Sequence, residues 1–182
     1  MSATETTQFA PAGTWSADTV HSSVAFEVTY SGVNTFRGSF SDFTATLSGD
    51  TLEGSAKVAS VDVKDENLNG HLQTPDFFDA QRYPEITFKA THLHKHDDNS
   101  VHGEGELTIK GVTQPIEVAG AIAAAPVTDP LGRERLGLRL EATIDRTVFG
   151  VSWNAPNQTG GGNYLADDVK LIAELAFVKQ DA

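Results

Sequence analysis

The chain contains no cysteine among its 182 residues. That absence excludes disulfide bonds, thiolate catalysis and cysteine-ligated zinc, and it fits a reducing compartment. Basic residues are also scarce, because 13 Lys and Arg face 25 Asp and Glu, which gives a formal net charge of −12. Phosphate groups are bound mainly by Lys and Arg, so this balance argues against a nucleic-acid partner and against adhesion to anionic membranes.

Long hydrophobic runs are missing as well. No stretch approaches the ~18 apolar residues of a membrane-spanning helix, and the start, MSATETTQFAPAG, lacks the basic and apolar regions of a signal peptide. We therefore expect a cytoplasmic protein without stable membrane insertion, with a periplasmic or secreted protein as the alternative if a leader has been removed. Residues 1–12 predict a flexible tail, and residues 13–182 suit a single β-domain.

What the chain does have is alternation of apolar and polar residues, which is typical of half-buried β-strands. The run SVAFEVTY places Val24, Phe26, Val28 and Tyr30 on one face. Eight such runs follow one another, joined mostly by short turns. They predict an all-β fold, namely an eight-stranded antiparallel up-and-down barrel, in which closure removes the exposed sheet edges.

Small residues share the apolar face of several predicted strands. Ala90 lies on the face of Phe88, and Gly105 lies on the face of Leu107. Either bulky aromatics from opposite strands fill the room that these small residues leave, or the barrel keeps an elongated apolar cavity. A barrel of this strand number is about wide enough for one slender ligand.

The alternation is interrupted between the third and fourth runs, where residues 65–82 predict a short helical and turn excursion. This segment holds His71, Asp76, Asp79 and Arg82. We interpret them as a buried His–Asp–Arg network that fixes the excursion onto the barrel. The alternative is an enzyme in which His71 and Asp79 act as a proton-transfer pair on a substrate inside the barrel.

The segment HLHKH places His92, His94 and His96 at alternate positions, hence on one face of a strand. Imidazoles are suitable ligands for Zn²⁺, Cu²⁺ or Ni²⁺, and a metal- or haem-binding barrel is therefore an alternative hypothesis. Alternate side chains of a strand lie ~7 Å apart, which is loose spacing for one ion. We interpret the segment as a solvated strand end and expect no metal site.

Four motifs, in this order along about residues 13–178, resemble the YceI-like family. They are GTWSADTVHSSVAFEVTYSGVNTFRGSFSDF, HLQTPDFFDAQRYPEITF, GELTIKGVTQPIEV, and IDRTVFGVSWN followed by VKLIAEL. The family usually shows an Arg-Asp pair just before His-Leu, whereas this chain reads Asn69-Gly70 before His71-Leu72. The HLHKH segment is not part of the family signature.

The resemblance implies a lipocalin-like barrel and a non-catalytic protein that binds or transports a long apolar or amphiphilic ligand. A polyisoprenoid, an isoprenoid quinone or a fatty-chain lipid would lie inside the barrel, and no other cofactor is implied. For the alternative enzyme, the resemblance implies an isoprenoid-like substrate for His71 and Asp79. The resemblance also implies a homodimer, for which the sequence shows no interface.

Alternation and motif position together predict the residues of the site. The expected barrel lining consists of Phe26, Val28, Phe36, Phe40, Phe88, Leu107, Leu138, Leu140 and Phe149. The expected lid at one end consists of His71, Phe77, Phe78, Asp79 and Tyr83.

Overall fold

The computed structural model describes residues 9–156 and 162–181. Within them, no helix is long and apolar enough to cross a membrane. The strands are β1 (Thr14–Ala17), β2 (Ser23–Tyr30), β3 (Asn34–Phe40), β4 (Phe43–Ser48), β5 (Thr51–Lys57), β6 (Val61–Asp62), β7 (Glu85–Ala90), β8 (His94–Lys95), β9 (Ser100–Ile109), β10 (Val112–Ile122), β11 (Val127–Thr128), β12 (Glu134–Asp145) and β13 (Leu165–Lys179). The helices are α1 (Glu66–Leu72) and two 3₁₀ turns, Val58–Ser60 and Arg146–Phe149.

These strands close an antiparallel barrel. The pairs β1/β2, β3/β4 and β5/β6 each form one interrupted barrel strand, and β7, β9, β10, β12 and β13 complete the ring. Neighbours in the ring are neighbours in the chain, and β13 closes it by pairing with β12 on one side and with β1 and β2 on the other. The prediction of an eight-stranded up-and-down barrel is confirmed.

The alternating pattern sets which face of each strand turns inward. Along β12, Leu136, Leu138 and Leu140 are buried, while Gly137 and Arg139 between them are exposed. A register slip of one residue would turn every leucine to solvent, so the apolar pattern specifies the strand pairing.

The interior of the barrel is filled at one end. Trp15, Leu47, Leu136 and Phe177 are at most 2% exposed. They belong to neighbouring strands, since Trp15 pairs with Leu47 and Leu136 pairs with Phe177. We call this part the filled half, and the part towards α1 the hollow half.

The described part of the predicted tail does not behave as a tail. Phe9 and Ala10 belong to the buried core, at 4% and 1% exposure. Nearby, the indole Nε1 of Trp15 donates to the carbonyl of Pro11 at 3.1 Å. The prediction of a flexible segment up to residue 12 is therefore wrong for these positions, because burial of one aromatic side chain outweighs the polar composition around it. Residues 1–8 lie outside the described residues.

The excursion between the third and fourth barrel strands begins with a capped helix. The Asp65 carboxylate accepts from the backbone N–H of Leu68 at 2.9 Å, which satisfies a free donor of the first helical turn. After α1 the chain turns back through Asp79, whose φ of +53° lies in the left-handed region that Asp tolerates better than most residues. The excursion lies where the sequence predicted it.

Candidate ligand-binding site

The hollow half of the barrel contains a cavity of about 530 Å³. This volume lies within the usual range of small-molecule sites. Aliphatic and aromatic side chains from the barrel strands and from α1 dominate its wall. Beyond the predicted residues, the wall includes Ala45, Leu52, Ala56, Leu68, Leu72, Ile86, Ile109, Ile116, Val118, Ala142, Ile144, Val151, Trp153, Val169, Leu171 and Ala173.

Most of the residues predicted to line the barrel lie on this wall. They are Phe26, Val28, Phe36, Phe40, Phe88, Leu107, Leu140 and Phe149. Leu138 is the exception, because it is 2% exposed and lies on β12 one inward position closer to the filled half than Leu140. Alternation predicts the face of a strand and not the depth at which close packing begins. Contact of these residues with a ligand stays a prediction.

In the cavity wall, aromatic rings fill the space that inward-facing glycines leave free. The ring of Phe88 lies over Gly105 of the neighbouring strand, where an added Cβ would clash with it. The ring of Phe26 covers Gly38 in the same way. Both alternatives from the sequence are therefore present, since aromatics fill the room above some glycines and an apolar cavity persists beside them.

Three of the five predicted lid residues line the cavity: His71, Phe77 and Phe78. The ring of His71 meets Phe77 edge-on at 4.9 Å and Trp153 at 5.1 Å between centroids. Phe78 meets Phe40 of the barrel wall at 5.9 Å. Edge-on aromatic pairs contribute about 0.5–1.5 kcal/mol each beyond their burial, so these contacts hold the excursion against the barrel.

The other two predicted lid residues, Asp79 and Tyr83, do not line the cavity and instead stabilise the turn after α1. Asp79 is 4% exposed, its N–H donates to the carbonyl of Thr74 at 2.9 Å, and its carbonyl accepts from the N–H of Tyr83 at 2.8 Å. The ring of Tyr83 packs on Gly111 in the turn between β9 and β10. We call residues 66–83 the lid.

The charged residues of the lid form two separate pairs and not one buried network. His71 Nε2 lies 3.0 Å from Asp76 Oδ2, and Arg82 lies 3.7 Å from Asp79. The prediction of a single network is wrong, because the turn after α1 brings Asp76 to the imidazole. Since His71 pairs with Asp76, the structure does not show the His71–Asp79 pair of the alternative hypothesis.

Lys110 ties the lid to the barrel, and sequence analysis did not identify it. Its Nζ donates to the carbonyl of Pro75 in the lid at 2.6 Å and to the carbonyl of Gly150 at 3.2 Å. In the sequence it belongs to an ordinary Lys-Gly turn between two strands. Its partners lie 35 and 40 positions away, so no local pattern signals the contact.

Arg146 is a second residue that sequence analysis missed. It lines the cavity and is 6% exposed, and burial lowers the pKa of its guanidinium. Nε donates to the carbonyl of Ala166 at 2.9 Å, and Nη1 donates to those of Val151 at 2.7 Å and Trp153 at 2.9 Å. Nη2 has no hydrogen-bond partner within the described residues, although Asp167 Oδ1 lies 3.8 Å away. A charged residue at the end of a strand is usually solvated, so the sequence does not predict the burial of Arg146.

The three histidines of HLHKH do not converge. His92 lies before β8 begins and approaches Asp50 at 3.5 Å, whereas His94 and His96 stack on His102 at 5.1 and 4.6 Å between ring centroids. His96 Nε2 lies 2.6 Å from His102 Nδ1. Among the described residues no group of three His, Asp or Glu side chains is arranged to hold a metal. The prediction that the three histidines share one face of a strand is wrong, because β8 contains only two residues and begins after His92.

Fold and cavity together define the class of this protein: a lipocalin-like antiparallel barrel with a covered apolar interior. Residues 15–177 match the family model described as YceI-like domain. The UPF0312 protein SA2479 of Staphylococcus aureus (strain N315) is 32% identical over 171 residues, which cover 88% of this chain and 94% of the relative. The chain belongs to the YceI-like family.

Two solved structures share the fold at lower sequence identity. BcnA of Burkholderia cenocepacia has a TM-score of 0.75 at 24% identity and covers 88% of this chain and 98% of its own. A polyisoprenoid-binding domain from Saccharophagus degradans has a TM-score of 0.64 at 13% identity and covers 91% of this chain and 98% of its own. At these identities the likeness extends to the fold alone.

Proposed function

We propose that this protein binds one long apolar or amphiphilic molecule in the hollow half of its barrel and carries it without chemical change. A polyisoprenoid, an isoprenoid quinone or a fatty-chain lipid fits this description. The observation that carries the proposal is the apolar cavity of about 530 Å³ beneath the lid. The fold shared with a polyisoprenoid-binding domain supports the same class of ligand.

The driving force for such binding is removal of the chain from water. Burial stabilises the complex by ~25 cal/mol per Å² of apolar surface, or about 0.8 kcal/mol for each methylene group. A wall of Phe, Leu, Ile and Val offers little hydrogen bonding to most of the chain, so affinity depends first on chain length. Each added methylene is expected to tighten binding roughly fourfold until the chain outgrows the cavity.

Carrying is favoured over catalysis by the pairing of the polar residues near the cavity. His71 is bonded to Asp76, and the Arg146 guanidinium is held by backbone carbonyls. Neither arrangement pairs a general base with an activated nucleophile. Covalent hydrolysis of a bound substrate would need such a pair at the cavity wall.

The test combines identification of the occupant with controlled loading. Native mass spectrometry of freshly purified protein, followed by solvent extraction, is expected to reveal a hydrophobic molecule bound one to one. Protein stripped of lipid is expected to take up polyprenyl quinones and fatty amides, with affinity rising along a chain-length series. A clean unliganded mass together with no uptake across the series would refute the proposal.

A further inference from the structure

The cavity of the hollow half ends inside the barrel, and Leu138 lies at that end. Resting on the proposed function, we propose that Leu138 sets the length of the apolar tail that the protein accepts. The bound molecule lies with the end of its tail against Leu138 and with its polar head at the lid. Leu138 is therefore a specificity-determining residue, and the ligand is an amphiphile with an unsubstituted tail of limited length.

Close packing begins at a similar depth on several strands. On β12, Leu140 lines the cavity, whereas the next inward residue, Leu138, does not. Three other strands show the same change from a lining residue to a closely packed one: Leu175 to Phe177, Ala45 to Leu47, and Phe88 to Ala90. The four closely packed residues are at most 2% exposed. Packed side chains therefore close the deep end of the cavity.

Leu138 adjoins the cavity wall on two sides. Leu140 on the same face of β12 lines the cavity, and so does Leu175, the cross-strand partner of Leu138 on β13. A shorter side chain at position 138 leaves a void next to the cavity, because the neighbours of a truncated core residue relax only partly. Leu136 lies one inward position deeper and pairs with Phe177, which does not line the cavity. A void at position 136 is therefore separated from the ligand by Leu138.

The two ends of the cavity differ in polarity. At the lid end, His71, Tyr30 and Tyr164 line the cavity, and the two tyrosine rings lie 5.7 Å apart. At the deep end, both cross-strand partners of Leu138 are apolar, namely Leu175 and Ile122. A polar group that is buried without a hydrogen-bond partner is costly. The head of the ligand is therefore stabilised at the lid end and its apolar tail at Leu138.

A chain-length series of fatty alcohols tests the role of Leu138. Affinities are measured by displacement of a fluorescent fatty probe. In wild-type protein the affinity should rise about fourfold with each methylene and then reach a plateau, because further methylenes stay in water. Leu138→Ala should move the plateau to chains about two carbon atoms longer, since the tail extends into the void. An unchanged plateau in this variant would overturn the proposal.

The matched control is Leu136→Ala. Leu136 and Leu138 lie on the same strand, and both are 2% exposed, so the two substitutions remove the same atoms from equally buried positions. The plateau of Leu136→Ala should equal that of wild type, and an equal shift in both variants would overturn the proposal. Leu138→Val removes less of the side chain and should move the plateau by about one carbon atom. It provides the same test if Leu138→Ala does not fold.

A measurement on wild-type protein tests the orientation of the ligand without any substitution. It compares a fatty alcohol of plateau length with two diols of the same length. A second hydroxyl at the far end of the chain should weaken binding about tenfold or more, because it is buried at Leu138 without a partner. A second hydroxyl next to the first remains at the lid and should change the affinity less than about threefold. Equal affinities of the two diols would overturn the proposal.

The chain-length series also separates this proposal from the proposed function. Affinity that rises with every added methylene and never reaches a plateau would overturn the role of Leu138, while binding itself is retained. Failure of every alcohol in the series to displace the probe would instead refute the proposed function.

Discussion

At the scale of single residues, Arg135 joins two loops at the filled end of the barrel. Its Nη1 donates to Asp18 at 2.8 Å, and its Nε donates to Asp129 at 2.8 Å. The hydrogen bond from Arg135, with a smaller one from His21, holds the pKa of Asp18 far below its usual range. The pKa of Asp129 is lowered first by the backbone N–H of Arg133 and then by Arg135. Both carboxylates thus stabilise the fold in their charged form.

This pairing predicts how stability depends on pH. A carboxylate whose folded pKa is depressed contributes stability above its unfolded pKa of ~3.9, and the contribution is lost as pH falls towards the folded pKa. Wild-type protein is therefore expected to lose free energy of unfolding below about pH 4. In urea titrations Asp18→Asn should be less stable than wild type at pH 6, and the gap should narrow near pH 2.

The control is Asp97→Asn, which makes the same change of charge in an exposed turn. It should leave the free energy of unfolding close to that of wild type at pH 6. A gap between wild type and Asp18→Asn that is equally large at both pH values would contradict the ion-pair explanation.

At the scale of elements, the lid contains one short helix, α1, whose sequence departs from the family pattern at two positions. The family pattern usually has Arg-Asp where this chain has Asn69-Gly70. The Asn69 side chain accepts from the N–H of Val63 at 2.7 Å and so joins α1 to the residue that follows β6. Gly70 leaves an exposed position of the helix without a side chain.

We expect Gly70→Ala to stabilise the protein by about 0.5–1 kcal/mol, because Gly is unfavourable inside a helix. An added Cβ at this position meets no heavy atom within 4 Å. Gly105→Ala is the opposite case, since its Cβ would clash with Phe88 and cost about 1–3 kcal/mol. Denaturant unfolding of both variants measures the difference. Destabilisation by Gly70→Ala would show that α1 needs its glycine.

We expect the hydrogen bonds of Lys110 to slow the opening of the lid. Lys110→Met removes the hydrogen bonds to Pro75 and Gly150 but keeps most of the apolar stem. Ligand release is expected to become about tenfold faster, the effect of losing roughly 1.4 kcal/mol of charged hydrogen bonding. Amide hydrogens of residues 72–80 should exchange faster as well.

The matched control for the lid is Lys89→Met. Lys89 is an exposed lysine that pairs with Glu53 across neighbouring strands, outside the lid. Its substitution should leave both the release rate and the lid exchange unchanged. Equal rates for Lys110→Met and wild type would mean that the aromatic contacts alone keep the lid closed.

At the scale of the whole molecule, the barrel combines a close-packed end with a hollow one. The filled half provides stability, with Trp15 and Phe177 at 0% exposure. The hollow half provides the space that the proposed function requires. The closely packed side chains of the filled half, such as Trp15 and Phe177, do not line the cavity, so a substitution at the cavity wall can change ligand binding without disturbing their packing.

A cavity-filling substitution tests this separation. Ala142 lines the cavity on β12, and Ala142→Phe is expected to weaken binding of a long-chain ligand tenfold or more. Stability should be kept or raised, because the new ring fills a void instead of a packed core. Ala119→Phe introduces the same ring at an exposed position of neighbouring β10 and should leave ligand affinity unchanged. Unchanged affinity of Ala142→Phe would place the ligand elsewhere.

The sequence by itself determined the number of barrel strands, their inward faces and the place of the lid. Backbone geometry imposes a period of two on every strand, so Phe26 or Leu140 reveals its face through its immediate neighbours. The same pattern does not predict how far close packing extends along that face. Leu138 and Leu140 have the same pattern, but only Leu140 reaches the cavity.

Only the tertiary structure decided which distant groups meet. The carbonyls held by Lys110, the pairing of His71 with Asp76, and the stacking of His94 and His96 on His102 depend on turns and register. Arg146 became a buried donor because β13 and residues 151–153 enclose it. Local alternation predicts the face of a strand on which a side chain lies. Its contacts and its burial depend on segments that are distant in the sequence.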